Sequence, residues 1–430
     1  MAPLEPWEKV LVNAEAFGQT EHGKMTCIEC HGGEQSPDKL TAHAGMNPSP
    51  SSDPQVACGE CHQDMVKTYP NALHNTQAGY WTRIDARAGL ENHEAPESHA
   101  ALETMFGNHC ATCHTTCGEC HVNQPDNVGG GLFNGHVFEK TPPMTRSCTA
   151  CHGSRVGNEY LGKNEGFPGD VHFREERMNC VKCHSGTDLH GSELPVDHRY
   201  DGAQSPSCLS CHPNAEVGKS DNPMHNQHSD TLSCQVCHSI TYTSCDGCHV
   251  AVSEKSGKPF FETEATYHTF KIGINPSPSA ERPYSFVPVR HIPVSPTSYQ
   301  FYAENLLPAF NSVPTWQMTT PHNIQLKTPQ NESCAACHDN PSLFLLAEDV
   351  AESEIEANLG VYLSGPILPS GQIESLLAGA DPLPASHAEL ACQNCCKVCH
   401  NEGLRGAVVY PGNHSGFSET TCLGCHKPAQ

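Results

Sequence analysis

Twelve times in 430 residues, two cysteines stand three positions apart with a histidine directly after the second. The units are Cys27, Cys30 and His31; Cys58, Cys61 and His62; Cys110, Cys113 and His114; Cys117, Cys120 and His121; Cys148, Cys151 and His152; Cys180, Cys183 and His184; Cys208, Cys211 and His212; Cys234, Cys237 and His238; Cys245, Cys248 and His249; Cys334, Cys337 and His338; Cys396, Cys399 and His400; and Cys422, Cys425 and His426. They use 24 of the 26 cysteines. Two thiols one turn apart can form thioethers to the two vinyl groups on one edge of a porphyrin, and the next imidazole then reaches the iron from one face. The pattern predicts twelve covalently attached haem c groups per chain, with the twelve motif histidines as proximal ligands.

Zinc ribbons and a disulfide framework are the competing readings. Zinc asks for four ligands, often two Cys-x-x-Cys pairs, and does not call for a histidine after each one. Disulfides need no histidine at all. Chance does not place histidine after twelve of thirteen Cys-x-x-Cys units.

A haem iron takes a second axial ligand or leaves that position open to chemistry. Seventeen of the 29 histidines lie outside the motifs, enough for complete bis-histidine ligation. The preferred distal ligands are His22, His43, His74, His136, His172, His190, His198, His225, His291, His322, His387 and His414, with His93, His99, His109, His228 and His268 in reserve. The nine methionines show no telling pattern. Bis-histidine ligation should keep potentials low.

Stepping out from the motifs, their spacing sets the architecture. In "HCATCHTTCGECHV" (109–122) the first cysteines of two motifs are seven residues apart, which leaves no room for a protein layer between their haems. "CQVCHSITYTSCDGCHV" (234–250) repeats the arrangement with a gap of eleven. Both end in Cys-His-Val, a weak internal repeat. Hydrophobic residues make up only 37% of the chain, and 35 glycines and 34 prolines disfavour long regular elements. The expected fold is mostly irregular coil with short α-helices and few β-strands, wrapped around a continuous chain of covalently attached haems.

Residues 1–105 carry two motifs, and a short helix carrying His74 is expected after Cys61 and His62. Residues 106–250 carry seven motifs and form the dense core. Residues 251–333 carry none; this Pro- and aromatic-rich lobe is expected to supply His291 and His322, to cover haem faces or to form a small β-rich unit, with a substrate or partner surface as the alternative. Residues 334–430 carry three motifs. "LFLLAEDVAESEIEANLGVYL" is the best helix candidate, apolar at helical spacing with an acidic face. In "CQNCCKVCH" (392–400), Cys392 and Cys395 fall outside the motifs and are expected to form a disulfide, with a free or intermolecular thiol as the alternative.

The formal charge is −24, which disfavours nucleic acid and anionic membrane surfaces as partners. It suits redox partner proteins with cationic patches, or extracellular metal ions and mineral surfaces. No run approaches the length of a membrane span. "MAPLEPWEKV" lacks the basic start and apolar stretch of a signal peptide, so the chain reads as a mature, exported protein, periplasmic or extracellular.

The motif array resembles the multihaem c-type cytochromes of bacteria and archaea that respire metals, sulfur or nitrogen compounds. "CIECHGG", "AHAGMNPSP", "CGECHQDMVKTYPNALH", "CTACHGSRVGNEYLG", "MNCVKCHSGTDLHG", "RHIPV" and "TPHN" look like segments of the octahaem tetrathionate-reductase-like group. Enzymes of that kind ligate the catalytic haem with lysine in a Cys-x-x-Cys-Lys motif, which this sequence lacks. The resemblance therefore implies the electron-transfer scaffold rather than the catalytic haem. Composition is also similar to that of extracellular cytochrome filaments, which implies a homopolymer as one possible assembly. The expected function is a dodecahaem electron conduit with no catalytic residue; the alternative is a reductase or oxidase of sulfur or nitrogen oxyanions with one open haem site.

Overall fold

The glycines and prolines divide the chain into short elements, and the computed structural model describes most of them. It covers residues 4–364 except 91–95, 110, 112–114, 126–127, 197, 199–205, 241–242, 245–246, 265–267, 281 and 293, together with residues 367 and 370. Short helices, few strands and much coil make up this part of the chain. Most helices run one turn. The two longest, Ala78–Ala88 and Pro96–His109, have 11 and 14 residues. The first of these stops at Gly89, whose φ of 70° supplies the left-handed C-terminal cap that a side chain would resist. After His62 the chain makes a helix at Gln63–Thr68 and a second turn at Leu73–Thr76, which carries His74.

The strands fall between residues 243 and 318. Thr243–Ser244 (β1) pairs with His268–Thr269 (β4), and Gly247–Val252 (β2) with Pro259–Glu264 (β3). Lys271–Ile274 (β5), Phe286–His291 (β6) and Trp316–Met318 (β7) form an antiparallel three-stranded sheet, with Ile272 opposite Pro288 and Arg290 opposite Gln317. Val287, Val289 and Trp316 of this sheet are fully buried against Leu345, Val350 and Val361. A second cluster joins Ile84, Leu102 and Met105 to Leu307 and Phe310.

These aliphatic cores sit beside the motif-rich region rather than within it. No apolar side chain between residues 4 and 65 is buried, although two motifs lie there. Ordinary hydrophobic packing does not account for that end of the chain.

The segment expected as a helix from Leu343 to Leu363 is not one. It makes short 3₁₀ turns at Ala347–Asp349 and Glu352–Glu354. The sheet prevails over the helical pattern: Leu345 donates its N–H to the Ile272 carbonyl at 2.9 Å, and Leu363 donates to Leu345 at 2.8 Å. Successive turns still bury Leu345, Val350 and Val361, so the apolar spacing is satisfied without a helix. Among the described residues, no helix is long and apolar enough to cross a membrane.

Candidate haem sites

Each described motif occupies about one helical turn. Cys27–His31, Cys117–His121, Cys234–His238 and Cys334–His338 are α-helical, and Cys180–Lys182 and Cys208–Ser210 are 3₁₀. Residues at i, i+3 and i+4 share one face of such a turn, so the two thiols and the imidazole face the same way. The turns are built by their flanks. Thr26 and Glu29 form a reciprocal capping box around the first, and Thr116 and Glu119 around another. Ser333 accepts from the Ala336 N–H at 3.1 Å. A Ser or Thr before the first cysteine, and Glu at the third position in two cases, is a signal for these turns that the motif search alone misses.

Eight histidine pairs stand out among the described residues, each joining one motif histidine to one outside the motifs. Their ring centroids are 6.0 Å apart for His22 and His62, 5.9 Å for His31 and His136, and 6.1 Å for His74 and His152. The separation is 6.1 Å for His121 and His190, 6.0 Å for His172 and His212, and 6.4 Å for His184 and His322. It is 6.1 Å for His225 and His238 and 6.3 Å for His228 and His338. A first-row metal–imidazole bond is about 2.0–2.1 Å, so two imidazoles on opposite sides of one metal have centroids roughly 6–6.5 Å apart. All eight pairs have that spacing. It is too wide for the rings to bond each other and wide enough for a flat macrocycle between them.

The tautomers fit ligation. Nδ1 of His31, His121 and His238 donates to the carbonyls of Asn47, Glu139 and Gln325 at 2.9, 2.7 and 3.0 Å. His228 does the same to Met224 at 3.0 Å, and His225 meets the Ser220 hydroxyl at 3.0 Å. Each bond leaves Nε2 for the metal. The three proximal histidines are gripped twice, because the same Asn47, Glu139 and Gln325 donate their N–H back to the histidine's own carbonyl at 2.7, 2.7 and 2.8 Å. Burial, followed by the facing ring, holds His22, His136, His184, His190 and His225 below the usual imidazole value. His74 is also held low, first by burial and then by His184 and His190. A neutral imidazole is the form that binds a metal.

Burial pushes Cys58 and Cys120 up to about 11 and Cys337 up to about 12. Among the described residues no group of three or more His, Cys, Asp or Glu side chains is gathered to hold a metal ion.

The cysteines also order the sites. Behind the larger effect of burial, Cys117 and Cys30 both raise the Cys58 thiol, Cys148 raises Cys120, Cys211 and Cys208 raise Cys183, and Cys237 raises Cys337. The Cys148 thiol is hydrogen-bonded to Cys180, and Cys208 to Cys234. The eight described motifs therefore run as one row, in the order in which the sequence places them. All eight line one cavity of 4890 Å³. A ligand pocket is ordinarily about 300–1,000 Å³, so this one has room for several large groups in succession. Facing neutral imidazoles, paired thiols on the same turns and a shared cavity all fit haem c.

Of the twelve preferred distal candidates, the structure sets His22, His74, His136, His172, His190, His225 and His322 opposite motif histidines. His228, a reserve residue, stands opposite His338; its helix Pro223–His228 also carries His225, and both rings point to haem-motif partners. Spacing along the chain gave no reason to prefer one of the two over the other. His43 is exposed, with Nδ1 2.7 Å from the Lys39 carbonyl, and no described motif histidine faces it. His291 instead meets the Glu354 carboxylate at 2.9 Å. His198 is exposed. Among the reserve residues, His99 stacks on Trp81 and His109 bonds the Tyr302 hydroxyl at 2.6 Å. The side chains of His249 and His268, and all of His93, His114, His387, His400, His414, His426, Cys392 and Cys395, lie outside the described residues.

Residues 322–325 tie three sites together. His322 faces His184 and donates its backbone N–H to Glu159 at 2.6 Å. Glu159 is buried with Arg290 of β6, which lies over the Phe270 ring. Ile324 donates to Asp170 at 2.9 Å, and Gln325 grips His238. The "TPHN" stretch thus brings the sheet against the row.

No family model and no solved structure matches the chain. It is similar to the multiheme cytochrome MtrA of Shewanella baltica (strain OS185), with 24% identity over 209 residues, 41% of this chain. The chain spans 59% of that relative's length. The recurring Cys-x-x-Cys-His turns and the facing histidines accord with this similarity to a multiheme cytochrome.

Proposed function

We propose that the chain is a dodecahaem c-type cytochrome that acts as an electron conduit in respiratory or extracellular electron transfer. The observation that carries this reading is the row of eight facing histidine pairs, set in chain order along one cavity. Bound haem would supply one-electron chemistry. The polypeptide's part would be to hold, orient and enclose: the 24 motif cysteines would anchor the porphyrins and the motif histidines would hold the iron. His22, His74, His136, His172, His190, His225, His228 and His322 would hold it opposite them. Sites held by two histidines would have no room for substrate, which favours passage over catalysis. Four further motifs extend the count to twelve.

The acidic surface suits cationic redox partners or extracellular metal acceptors, and export to the periplasm or beyond follows from the haem c attachment. Segments 1–105, 106–250 and 334–430 divide the haems, and 251–333 braces them.

The test is electron paramagnetic resonance of the oxidised, purified protein, with optical spectra of the reduced form under carbon monoxide and the mass of the denatured chain. Twelve covalent haems, all low-spin and indifferent to carbon monoxide, are expected. A high-spin haem that binds carbon monoxide would overturn the pure conduit and indicate a reductase. Elongated particles in micrographs would add a filament to the reading.

A further inference from the structure

We propose that Asp170 is a positioning residue that fixes His172 for the haem of the Cys208–Cys211 motif and lowers that haem's reduction potential. The inference rests on the multihaem reading and goes beyond it by giving one site in the row a distinct electronic setting.

Asp170 is only 2% exposed. Its Oδ1 accepts the His172 backbone N–H at 2.8 Å and lies 2.9 Å from the same residue's Nδ1. Because the carboxylate accepts, Nδ1–H donates, and Nε2 is left facing His212. Oδ2 accepts the Ile324 N–H at 2.9 Å, two residues beyond His322. One buried carboxylate thus orients the histidine of one site and the stretch that carries the facing histidine of the site before it.

The acceptor is what sets this site apart. His31, His121, His238 and His228 donate to backbone carbonyls, and His225 meets a hydroxyl. Those acceptors are dipoles; Asp170 brings a full negative charge in a buried place. A carboxylate on Nδ1 draws the ring toward imidazolate and raises its donation to the metal. Stronger donation and a nearby negative charge both favour ferric over ferrous iron.

Asp170→Asn removes the charge and keeps the helix cap: its amide oxygen still accepts the His172 N–H, while its NH2 cannot accept the N–H of Ile324. The experiment is a potentiometric titration of the holoprotein, followed by electron paramagnetic resonance and optical absorbance, with haem content from the mass of the denatured chain. One equivalent of haem is expected to move up by at least about 59 mV, tenfold in a one-electron equilibrium. Asp170→Glu is expected to return it to the wild-type midpoint. Identical titrations of wild type and Asp170→Asn, or a shift that Asp170→Glu leaves in place, overturn the proposal while leaving the multihaem reading intact. A wild-type chain without covalent haem overturns both.

Discussion

His121 and Glu139 hold each other through two hydrogen bonds: the Glu139 N–H donates to the His121 carbonyl at 2.7 Å, and His121 Nδ1–H donates to the Glu139 carbonyl at 2.7 Å. His31 with Asn47 and His238 with Gln325 repeat the arrangement. A single backbone unit fixes both the position of the proximal residue and the rotation of its ring, without any demand on the gripping side chain. The amides of Asn47, Glu139 and Gln325 are expected to exchange with solvent at least tenfold more slowly than those of neighbouring coil, which hydrogen-exchange mass spectrometry of the holoprotein reads directly.

Removing a distal ligand should open one site. His322→Ala is expected to convert one haem to a high-spin form that binds carbon monoxide. His291→Ala, which removes a ring that meets Glu354 rather than a motif histidine, should leave every haem low-spin.

Ring orientation should be visible in the same spectra. The planes of His22 and His62, His121 and His190, and His184 and His322 lie within 18–22° of parallel, whereas His74 and His152 cross at 85°. Parallel imidazoles split the iron orbitals that point between the ring nitrogens, and crossed ones leave them nearly equal. The oxidised protein should show rhombic low-spin signals together with at least one feature at markedly higher g. His74→Ala should remove a high-g component and His22→Ala a rhombic one.

The buried pair of Arg290 and Glu159 joins the sheet to the haem row. Glu159→Gln leaves a buried guanidinium without its counter-charge and loosens the His322 backbone. A cost of about 3–5 kcal/mol in denaturant unfolding is expected.

Glu354 gives the lobe an acid limit. Burial alone would raise its carboxyl, but hydrogen bonds from His291 and Thr315 outweigh it and hold the group below its ordinary value. A carboxyl depressed in the folded state stabilises above its unfolded value of about 4.3, and that contribution disappears as pH falls toward the folded value. Glu354→Gln should therefore cost more stability at about pH 7 than at a pH below about 4.3, as read by urea unfolding at the two pH values.

Short helices, few strands and much coil were legible in the composition, and the local turn of each described motif in its spacing, because a covalent anchor would need a fixed local spacing and one turn of helix supplies it. The facing histidines were less so. His136 reaches His31 and His322 reaches His184 across long stretches of chain, and no local pattern encodes such meetings. His228 and His225 look alike in "PMHNQH", and only the fold shows that each faces a different motif. His291 is a distal candidate by residue type; what its sequence neighbourhood does not show is that Glu354 comes to it, from a segment that reads as a helix and folds as turns. The Asp170 contact to His172 is two residues long and could have been suspected from "DVH"; its second contact, to Ile324, could not.

The 4890 Å³ hollow has a consequence for how such a chain changes over time. In most proteins the interior is made of side chains, so drift is restrained wherever an aliphatic residue touches another. On the multihaem reading proposed above, much of the interior would be borrowed from the prosthetic groups. The restraint shifts to a sparse grid of cysteines, histidines and the few backbone units that grip them, while the coil between grid points is free to vary in length and composition. Two chains of this design can keep the same row of metals with little else in common.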